Sequence, residues 1–249
     1  MRIFSTLLRR ELGTYFLSLT GYVIIAAVPL IVGSTFVMLI HNMESKPFAM
    51  PVTQLFFNSL MYWLLVILMA PAITMRLFAQ EKASGTFENL MTTPVGDLQV
   101  VLAKFVSSLI FYMLAWLPTL VSLVIIQRFT NQPRLDLGVM GGVYLGIFLS
   151  GCLFLSIGCL ASSLTKSQMV AAVMSLAAGV ILFILAYMAQ GGTDTAFSQA
   201  KILAFFNLFK QMEDFTRGVV DTRTVVYYVT ATFLFLFLTL RVVESRRWK

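Results

Sequence analysis

The sequence predicts an all-α integral membrane protein with six transmembrane helices, and two observations carry this prediction. First, 59% of its 249 side chains are hydrophobic and only 12% are charged, against roughly 45–50% and about 25% in ordinary globular domains. The mean hydropathy is accordingly high, at +0.87. Second, the charged residues cluster and leave long charge-free intervals, whereas a soluble core interleaves charge every few positions. With only two cysteines, a disordered chain and a disulfide-rich secreted domain are both excluded.

Six charge-free intervals are long enough to cross the hydrocarbon core of a bilayer, which is about 30 Å thick and takes around 20 helical residues. The last interval is the shortest, but Arg223 and Arg241 bracket it and can extend to the two interfaces. Pro29 and Pro118 are positions where the first and third spans can bend. We therefore expect one transmembrane domain over residues 1–249, with spans at about residues 20–40, 55–75, 105–127, 137–165, 168–189 and 224–240.

The residues before the first span, 3–17, predict an amphipathic helix that lies on the membrane surface. Leu7 and Leu8 oppose Arg9 and Arg10 on this helix, which is the pattern of an interfacial helix. Because it leads directly into the first span, such a helix can move that span.

The distribution of lysine and arginine predicts the direction of insertion. In the predicted topology, 11 of the 18 basic residues lie on the side of the two termini and 7 lie on the other side. The five and six acidic residues on the same two sides leave net charges of +6 and +1. Since basic residues accumulate in cytoplasmic loops, we expect both termini in the cytoplasm.

A stripe of small residues follows the predicted fourth span at four-residue intervals. Small side chains let another helix approach closely. Two interpretations remain open, packing within the chain's own bundle and contact between subunits. The stripe consists of Gly138, Gly142, Gly146 and Ser150.

The sequence lacks the motifs that would let the chain supply its own energy or chemistry. None of the predicted spans has an ionisable side chain in its interior, where an ion-coupled transporter or a proton relay usually keeps one. An ATP-binding glycine loop with a lysine and a nucleophile-elbow motif are both absent. His41 is the only histidine, which excludes a His-rich metal site. We therefore expect no enzymatic activity, no metal and no cofactor bound by this chain, and a partner that supplies the energy.

The loop between the second and third spans, residues 76–104, is the longest and most charged segment on the predicted cytoplasmic side. Gly85 interrupts the helix that leaves the membrane, Thr86 is a suitable N-cap, and Glu88 lies in the first turn, where the helix dipole favours an acid. A short helix at about residues 86–91 is therefore predicted.

One face of this short helix is apolar. Phe87, Leu90 and Met91 fall at positions i, i+3 and i+4, so they form a single patch exposed to water. Such a patch suits insertion into a groove of another protein. A helix that rests on lipid headgroups would show the same pattern, and the residues alone do not separate the two interpretations.

A second amphipathic helix is predicted on the outer surface, in the external segment of residues 190–223. Its apolar residues recur at helical spacing opposite polar ones, which is typical of a helix that lies in an interface. The apolar face includes Phe205, Phe206, Phe209 and Met212.

Three parts of the chain together resemble a known family. The segment PAITMRLFAQEKASGTFENLMTTPVGDLQVVLAKF resembles the loop before the third span of bacterial ABC-2 type transporter permeases. The first segment, RRELGTYFLSLTGYVIIAAVPLIVGSTF, and the last, FTRGVVDTRTVVYYVTATFLFLFLTLRVVESRRWK, are similar to the gliding-motility branch of that family. The resemblance covers essentially the whole chain, although the middle spans match in hydropathy only.

The resemblance implies a six-span permease half that forms a dimer and binds two cytoplasmic ATPase subunits, which hold ATP and magnesium. Residues 86–91 would be the coupling helix and residues 3–17 the connecting helix. The resemblance also implies external helices that close the exit of the translocation path, and here the helix with the aromatic face that includes Met212 would take that place. A helix that only anchors the chain at the outer surface would show the same face. The implied ATPase interface includes Glu81, Lys82, Gly85, Thr86, Glu88 and Leu90, and the connecting helix carries Arg9, Arg10, Glu11 and Tyr15.

The leading hypothesis is therefore the permease subunit of an ATP-driven exporter, or a component of an envelope or gliding machinery, in a bacterial inner membrane. The alternatives are a structural scaffold or mechanotransmission subunit that moves no solute, and a carrier or channel that needs no ATPase. A carrier has no need of an apolar patch in the cytosol, so the loop favours the first two. Expected partners are the ATPase, a second permease half, lipid and an auxiliary periplasmic or membrane subunit. Nucleic acid is not expected, because the net charge of +7 forms no basic stripe with interleaved aromatics.

Overall fold

A computed structural model describes residues 2–44, 52–86, 96–130, 137–191 and 207–245. These residues form helices joined by short turns and contain no strand, so the all-α prediction is confirmed. In chain order the helices are α1 (Arg2–Phe16), α2 (Leu19–Glu44), α3 (Val52–Asn58), α4 (Leu60–Thr74), α5 (Ala79–Ala83), α6 (Asp97–Trp116), α7 (Pro118–Thr130), α8 (Leu137–Leu164), α9 (Gln168–Gly191), α10 (Leu208–Thr216) and α11 (Thr222–Ser245).

Within the described residues, six helical segments are long and apolar enough to cross a membrane, which confirms the predicted number of spans. An even number of crossings returns the chain to the side from which it started. We call the side of α1 and of the end of α11 the terminal side, and the other the opposite side. The spans are Leu19–His41, Leu60–Ala83, Asp97–Val124, Gly138–Leu164, Gln168–Gln190 and Thr222–Ser245.

The second and third spans differ from their predicted limits. Both continue farther on the terminal side than residues 75 and 105, because charged residues beyond those limits pair with one another inside the bundle. On the opposite side, residues 55–58 belong to the separate helix α3. The second span begins after Ser59, whose Oγ accepts a hydrogen bond from the backbone N–H of Tyr62 at 3.4 Å.

Helix α8 is the centre of the bundle. In its most apolar stretch, 78% of the residues are buried, against 17–22% in α2, α9 and α11. It packs against α4, α6, α9, α10 and α11. The outward faces of the peripheral helices carry exposed apolar side chains such as Leu30, Val173 and Phe233. That distribution suits helices whose outer faces contact lipid.

Glycines on α8 allow close packing with three neighbouring helices. A Cβ atom added at Gly158 would lie 2.1 Å from Thr74 Oγ1 on α4. One added at Gly151 would lie 2.4 Å from the ring of Tyr112 on α6. Neither position tolerates a side chain without displacement of a neighbour, so the glycines make room for Thr74 of α4 and Tyr112 of α6 against α8.

The predicted small-residue stripe faces α10 and α4 of the same chain. A Cβ atom at Gly142 would lie 2.4 Å from the backbone oxygen of Phe215, and one at Gly146 would lie 2.8 Å from Met212 Sδ. Ser150 Oγ lies 3.1 Å from the hydroxyl of Tyr62. These three members therefore have intramolecular partners, and Gly138 begins the same helix near the opposite side.

The third span is divided into α6 and α7 at Leu117, because Pro118 has no N–H to donate. The break leaves the backbone oxygen of Trp116 without a helical donor. Two hydroxyl groups donate to it instead, from Thr119 at 2.6 Å and from Tyr144 at 3.1 Å. The predicted bend at Pro118 is therefore a real interruption, whereas Pro29 lies inside the continuous helix α2.

Candidate functional site

Four charged side chains meet on the terminal side, where α1, α5 and α6 converge. Lys104 Nζ lies 3.2 Å from Glu11 Oε1 and 2.9 Å from Glu81 Oε1. Arg10 Nη2 lies 3.0 Å from the same oxygen of Glu11 and 3.1 Å from that of Glu81. The two cations balance the two carboxylates. We call Arg10, Glu11, Glu81 and Lys104 the charge cluster.

Lys104 is the buried centre of this cluster. Only 2% of its side chain is exposed, and its Nζ lies 5.5 Å from the centre of the Phe78 ring, where a cation–π attraction adds to the two ion pairs. A buried charge that loses its partner costs about 3–5 kcal/mol. The cluster therefore fixes α1 and the start of the loop to the third span.

The start of the loop is also fixed to the end of α8. The Oγ of Ser162 accepts hydrogen bonds from the backbone N–H groups of Phe78 at 3.1 Å and Ala79 at 3.2 Å. The Nζ of Lys82, which is itself buried, donates to the backbone oxygen of Ser163. These bonds satisfy N–H groups at the start of α5 and a carbonyl group at the end of α8, where a helix leaves such groups without a partner of its own. As a result, α5 is held between the fourth span and the charge cluster.

Tyr15 forms a further contact between α1 and the spans. Its hydroxyl donates to the backbone oxygen of Ile73 at 3.2 Å, and its ring stacks on Phe111 with 4.8 Å between centroids. Burial raises the pKa of Tyr15 well above its usual value, with smaller contributions from Cys159 and Glu11. The phenol therefore stays protonated and remains a donor at neutral pH.

The corner between α1 and α2 is tight. Ser18 Oγ donates to the backbone oxygen of Tyr15 at 3.0 Å and accepts from the N–H of Gly21 at 3.1 Å. A Cβ atom at Gly21 would lie 2.1 Å from the Tyr15 oxygen. Helix α1 thus joins the first span through a corner that leaves no room for a side chain at position 21.

The predicted site residues of the connecting helix and the loop divide into inward-facing and exposed groups. Within α1, Glu11 is buried and Tyr15 is half-buried, whereas Arg9 and Arg10 are exposed. In the loop the charged atoms of Glu81 and Lys82 face the helix bundle itself. Gly85, with a φ of +72°, and Thr86 are exposed. The remaining predicted interface residues, Phe87, Glu88, Leu90 and Met91, lie outside the described residues.

On the opposite side, α3 and α10 together cover the end of the bundle, and we call them the external cap. Phe209 of α10 packs on Trp63 of α4 and Phe183 of α9, with ring centroids 5.3 Å and 5.5 Å apart. Gln54 Nε2 of α3 donates to Glu213 Oε1 of α10 at 3.1 Å. Of the four predicted residues of this face, Phe209 and Met212 are buried, and Phe205 and Phe206 lie outside the described residues.

Sequence reasoning did not identify Lys104 or Ser162 as site residues. Lys104 served only to end a charge-free interval, and a serine in a membrane helix is unremarkable on its own. A signal for Lys104 was present, since a lysine in the first turns of a long apolar helix needs an acidic partner. Glu11 and Glu81 were both expected on its side of the membrane.

Comparison with known protein families gives one match, to the model described as "ABC-2 family transporter protein", over residues 10–243. No curated protein matches the chain. Members of this family are membrane components rather than ATPases, and the family implies partnership with an ATPase subunit. Since the match includes all six spans and the charge cluster, the chain belongs to the ABC-2 transporter permease family and is a multi-pass membrane protein.

Proposed function

We propose that this chain is the transmembrane subunit of an ATP-driven exporter whose ATPase binds the coupling helix predicted at about residues 86–91 and moves the loop that carries it. The observation that supports this proposal most directly is the charge cluster, because it links both ends of that loop to the connecting helix. In the proposal both termini are cytoplasmic, the membrane is the bacterial inner membrane, and two ATPase subunits with ATP and magnesium bind a dimer of permease halves. We also propose that the chain belongs to the gliding-motility branch of the family.

The loop has two attachment points in the bundle. It leaves α5, which is fixed to α8 by Ser162 and Lys82, and it returns at α6, which carries Lys104. A displacement of the loop therefore changes the position of α5 relative to α6. Both helices contribute a charge to the cluster, so the displacement reaches Glu11 and with it α1.

From α1 the displacement continues to the first span. The tight corner at Ser18 and Gly21 leaves little room for α1 to move independently of α2. The connecting helix then acts as a rigid arm along the membrane surface. Motion of the ATPase would in this way change the tilt of the first span without any ionisable group in the middle of the membrane.

The structure changes the roles that we propose for the loop residues. Glu81 and Lys82, expected at the ATPase interface, direct their charged atoms into the permease, so we propose that they position α5. We propose that the exposed Gly85 and Thr86, together with the apolar patch of the predicted short helix, contact the ATPase directly. The external cap, whose Phe209 ring packs between Trp63 of α4 and Phe183 of α9, is proposed to close the outer end of the path.

The proposal is tested by two variants of the loop helix. Phe87→Asp places a charge in the apolar patch, and Glu88→Arg reverses the charge at the helix start. We expect both to remain in the membrane fraction but to lose the ATPase on co-purification. Lys166→Glu, which reverses an exposed charge between α8 and α9, is the matched control and should retain the ATPase.

A second readout, made in sealed membrane vesicles that contain the complex, reports on movement. A Val220→Cys reporter, exposed near the external cap, is placed in a chain without Cys152 and Cys159 and labelled with an impermeant maleimide. We expect ATP with vanadate to change the labelling rate about fivefold, and Glu81→Gln to abolish that change while the ATPase stays bound. Full retention of ATPase by both loop variants, or an unchanged response in Glu81→Gln, would contradict the proposal.

A further inference from the structure

A cavity of about 640 Å³, lined by both charged and apolar side chains, opens on the terminal side between α1, α2, α4 and α5. Its floor is formed by the charge cluster. The opposite wall is formed by Gly21 and Ile24 at the start of α2 and by Ile73 in the last turn of α4. The cavity therefore lies where the first span begins and the second span ends, which corresponds to the depth of the lipid headgroups.

One cation in this cavity has no acidic partner among the described residues. Arg10 and Lys104 are balanced by Glu11 and Glu81, but Arg76 is not part of the cluster. Its Nη1 donates to Thr20 Oγ1 at 3.2 Å. Its Nε is buried and has no hydrogen-bond partner in the described part of the chain.

An unpaired guanidinium in such a place calls for an anion. Arg76 is half-buried, so its charge is less well hydrated than at the surface, and its buried Nε lacks an acceptor among the described residues. The guanidinium presents its donors as a planar fork that matches a phosphate oxygen pair. Thr20 lies in the first turn of α2, where the positive end of the helix dipole also favours an anion.

The surroundings favour an anion that belongs to a lipid. Leu17 and Leu19, on either side of the Ser18 corner, are 88% and 82% exposed. Tyr22 and Val23 continue this exposed apolar surface along α2. Side chains of this type contact acyl chains when the protein is in a bilayer. A phospholipid could thus hold its tails against α2 and its headgroup in the cavity, which a soluble phosphate compound could not.

We propose that this cavity binds the phosphate group of an anionic membrane phospholipid, with Arg76 and Thr20 as its direct partners. The lipid fills the corner between the connecting helix and the first two spans. The site does not depend on the transport function proposed above, because it would serve any membrane role of the chain. A bound lipid would support the position of α1 on the membrane surface.

Titration of the purified chain with phosphatidylglycerol, followed by native mass spectrometry, tests this site. We expect Arg76→Gln to weaken binding of the first lipid about tenfold, the effect of one charge-assisted hydrogen-bonded contact. Lys166→Gln removes an exposed positive charge from the same side without a role in the cavity, and it should bind as the unaltered chain does. Thr20→Val, which keeps the shape of the side chain, should weaken binding about threefold and provides the measurement if Arg76→Gln does not fold.

Soluble glycerol 1-phosphate distinguishes the two sources of phosphate. We expect it to bind far more weakly than the lipid and to compete poorly with it. Equal affinity for glycerol 1-phosphate and phosphatidylglycerol would overturn the lipid assignment. Unchanged lipid affinity in a folded Arg76→Gln chain, or an equal loss in Lys166→Gln, would overturn the site itself.

Discussion

The two ends of the bundle are held together by different physical interactions. On the terminal side, α1, α5 and α6 meet through ion pairs and hydrogen bonds with fixed partners. On the opposite side, α3 and α10 rest on the spans mainly through aromatic side chains. Ion pairs in a buried place transmit displacement, because separation of the charges is costly. Aromatic pairs add only about 0.5–1.5 kcal/mol each beyond the area that they bury, so this end of the bundle depends on packing rather than on charge pairing.

The largest expected effect comes from removal of the buried cation of the charge cluster. Lys104→Met leaves Glu11 and Glu81 close together, with only the half-exposed Arg10 between them. We expect the stability to fall by about 3–5 kcal/mol, measured by thermal unfolding in detergent. Lys210→Met, an exposed lysine of α10, should be neutral. If the two variants unfold at the same temperature, the terminal side does not depend on charge pairing.

An intermediate effect is expected at the external cap. Phe209→Ala removes a ring that packs on Trp63 and Phe183, and a buried phenylalanine of this kind contributes about 3 kcal/mol. Phe233→Ala removes a ring that is 71% exposed on α11 and should cost much less in the same unfolding measurement. Faster labelling of the Val220→Cys reporter should accompany Phe209→Ala. Equal costs for the two rings would mean that the cap is not packed as described.

The smallest expected effect comes from removal of one hydroxyl group on the terminal side, that of Tyr15. Tyr15→Phe keeps the stack on Phe111 but loses the hydrogen bond to the oxygen of Ile73. One such bond contributes about 1 kcal/mol. Tyr22→Phe, at a position that is 62% exposed, is the control, and both are compared by unfolding in detergent. A loss above that of Phe209→Ala would show that Tyr15 does more than add one hydrogen bond.

The number of spans could be predicted because it depends on a property of single segments. The thickness of a bilayer sets the length of an apolar helix, and an interval without charge can be read directly from the sequence. The amphipathic α1 has the same local origin. Its polar and apolar residues recur with the period of a helix, and this pattern can be read without knowledge of the rest of the chain.

The charge cluster could not be predicted in the same way, because it depends on pairing between distant segments. Glu11 and Lys104 are 93 residues apart in the chain, and nothing local states that they meet. The rule that ends a span at its first charge consequently placed Lys104 outside the third span. The close contacts of Gly151 and Gly158 were missed for a similar reason, since each depends on the side chain opposite, Tyr112 or Thr74.

The interruption at Leu117 has a consequence for how the third span can bend in lipid. A helix that kinks in hydrocarbon normally exposes a carbonyl group to a medium that offers no hydrogen bond. Here the hydroxyl groups of Thr119 and Tyr144 both point at the Trp116 oxygen, and a hydroxyl can rotate to follow its acceptor. The angle between α6 and α7 can therefore change while at least one donor stays in place. A change in the bend of the third span at Leu117 would therefore not leave the Trp116 oxygen without a hydrogen-bond donor.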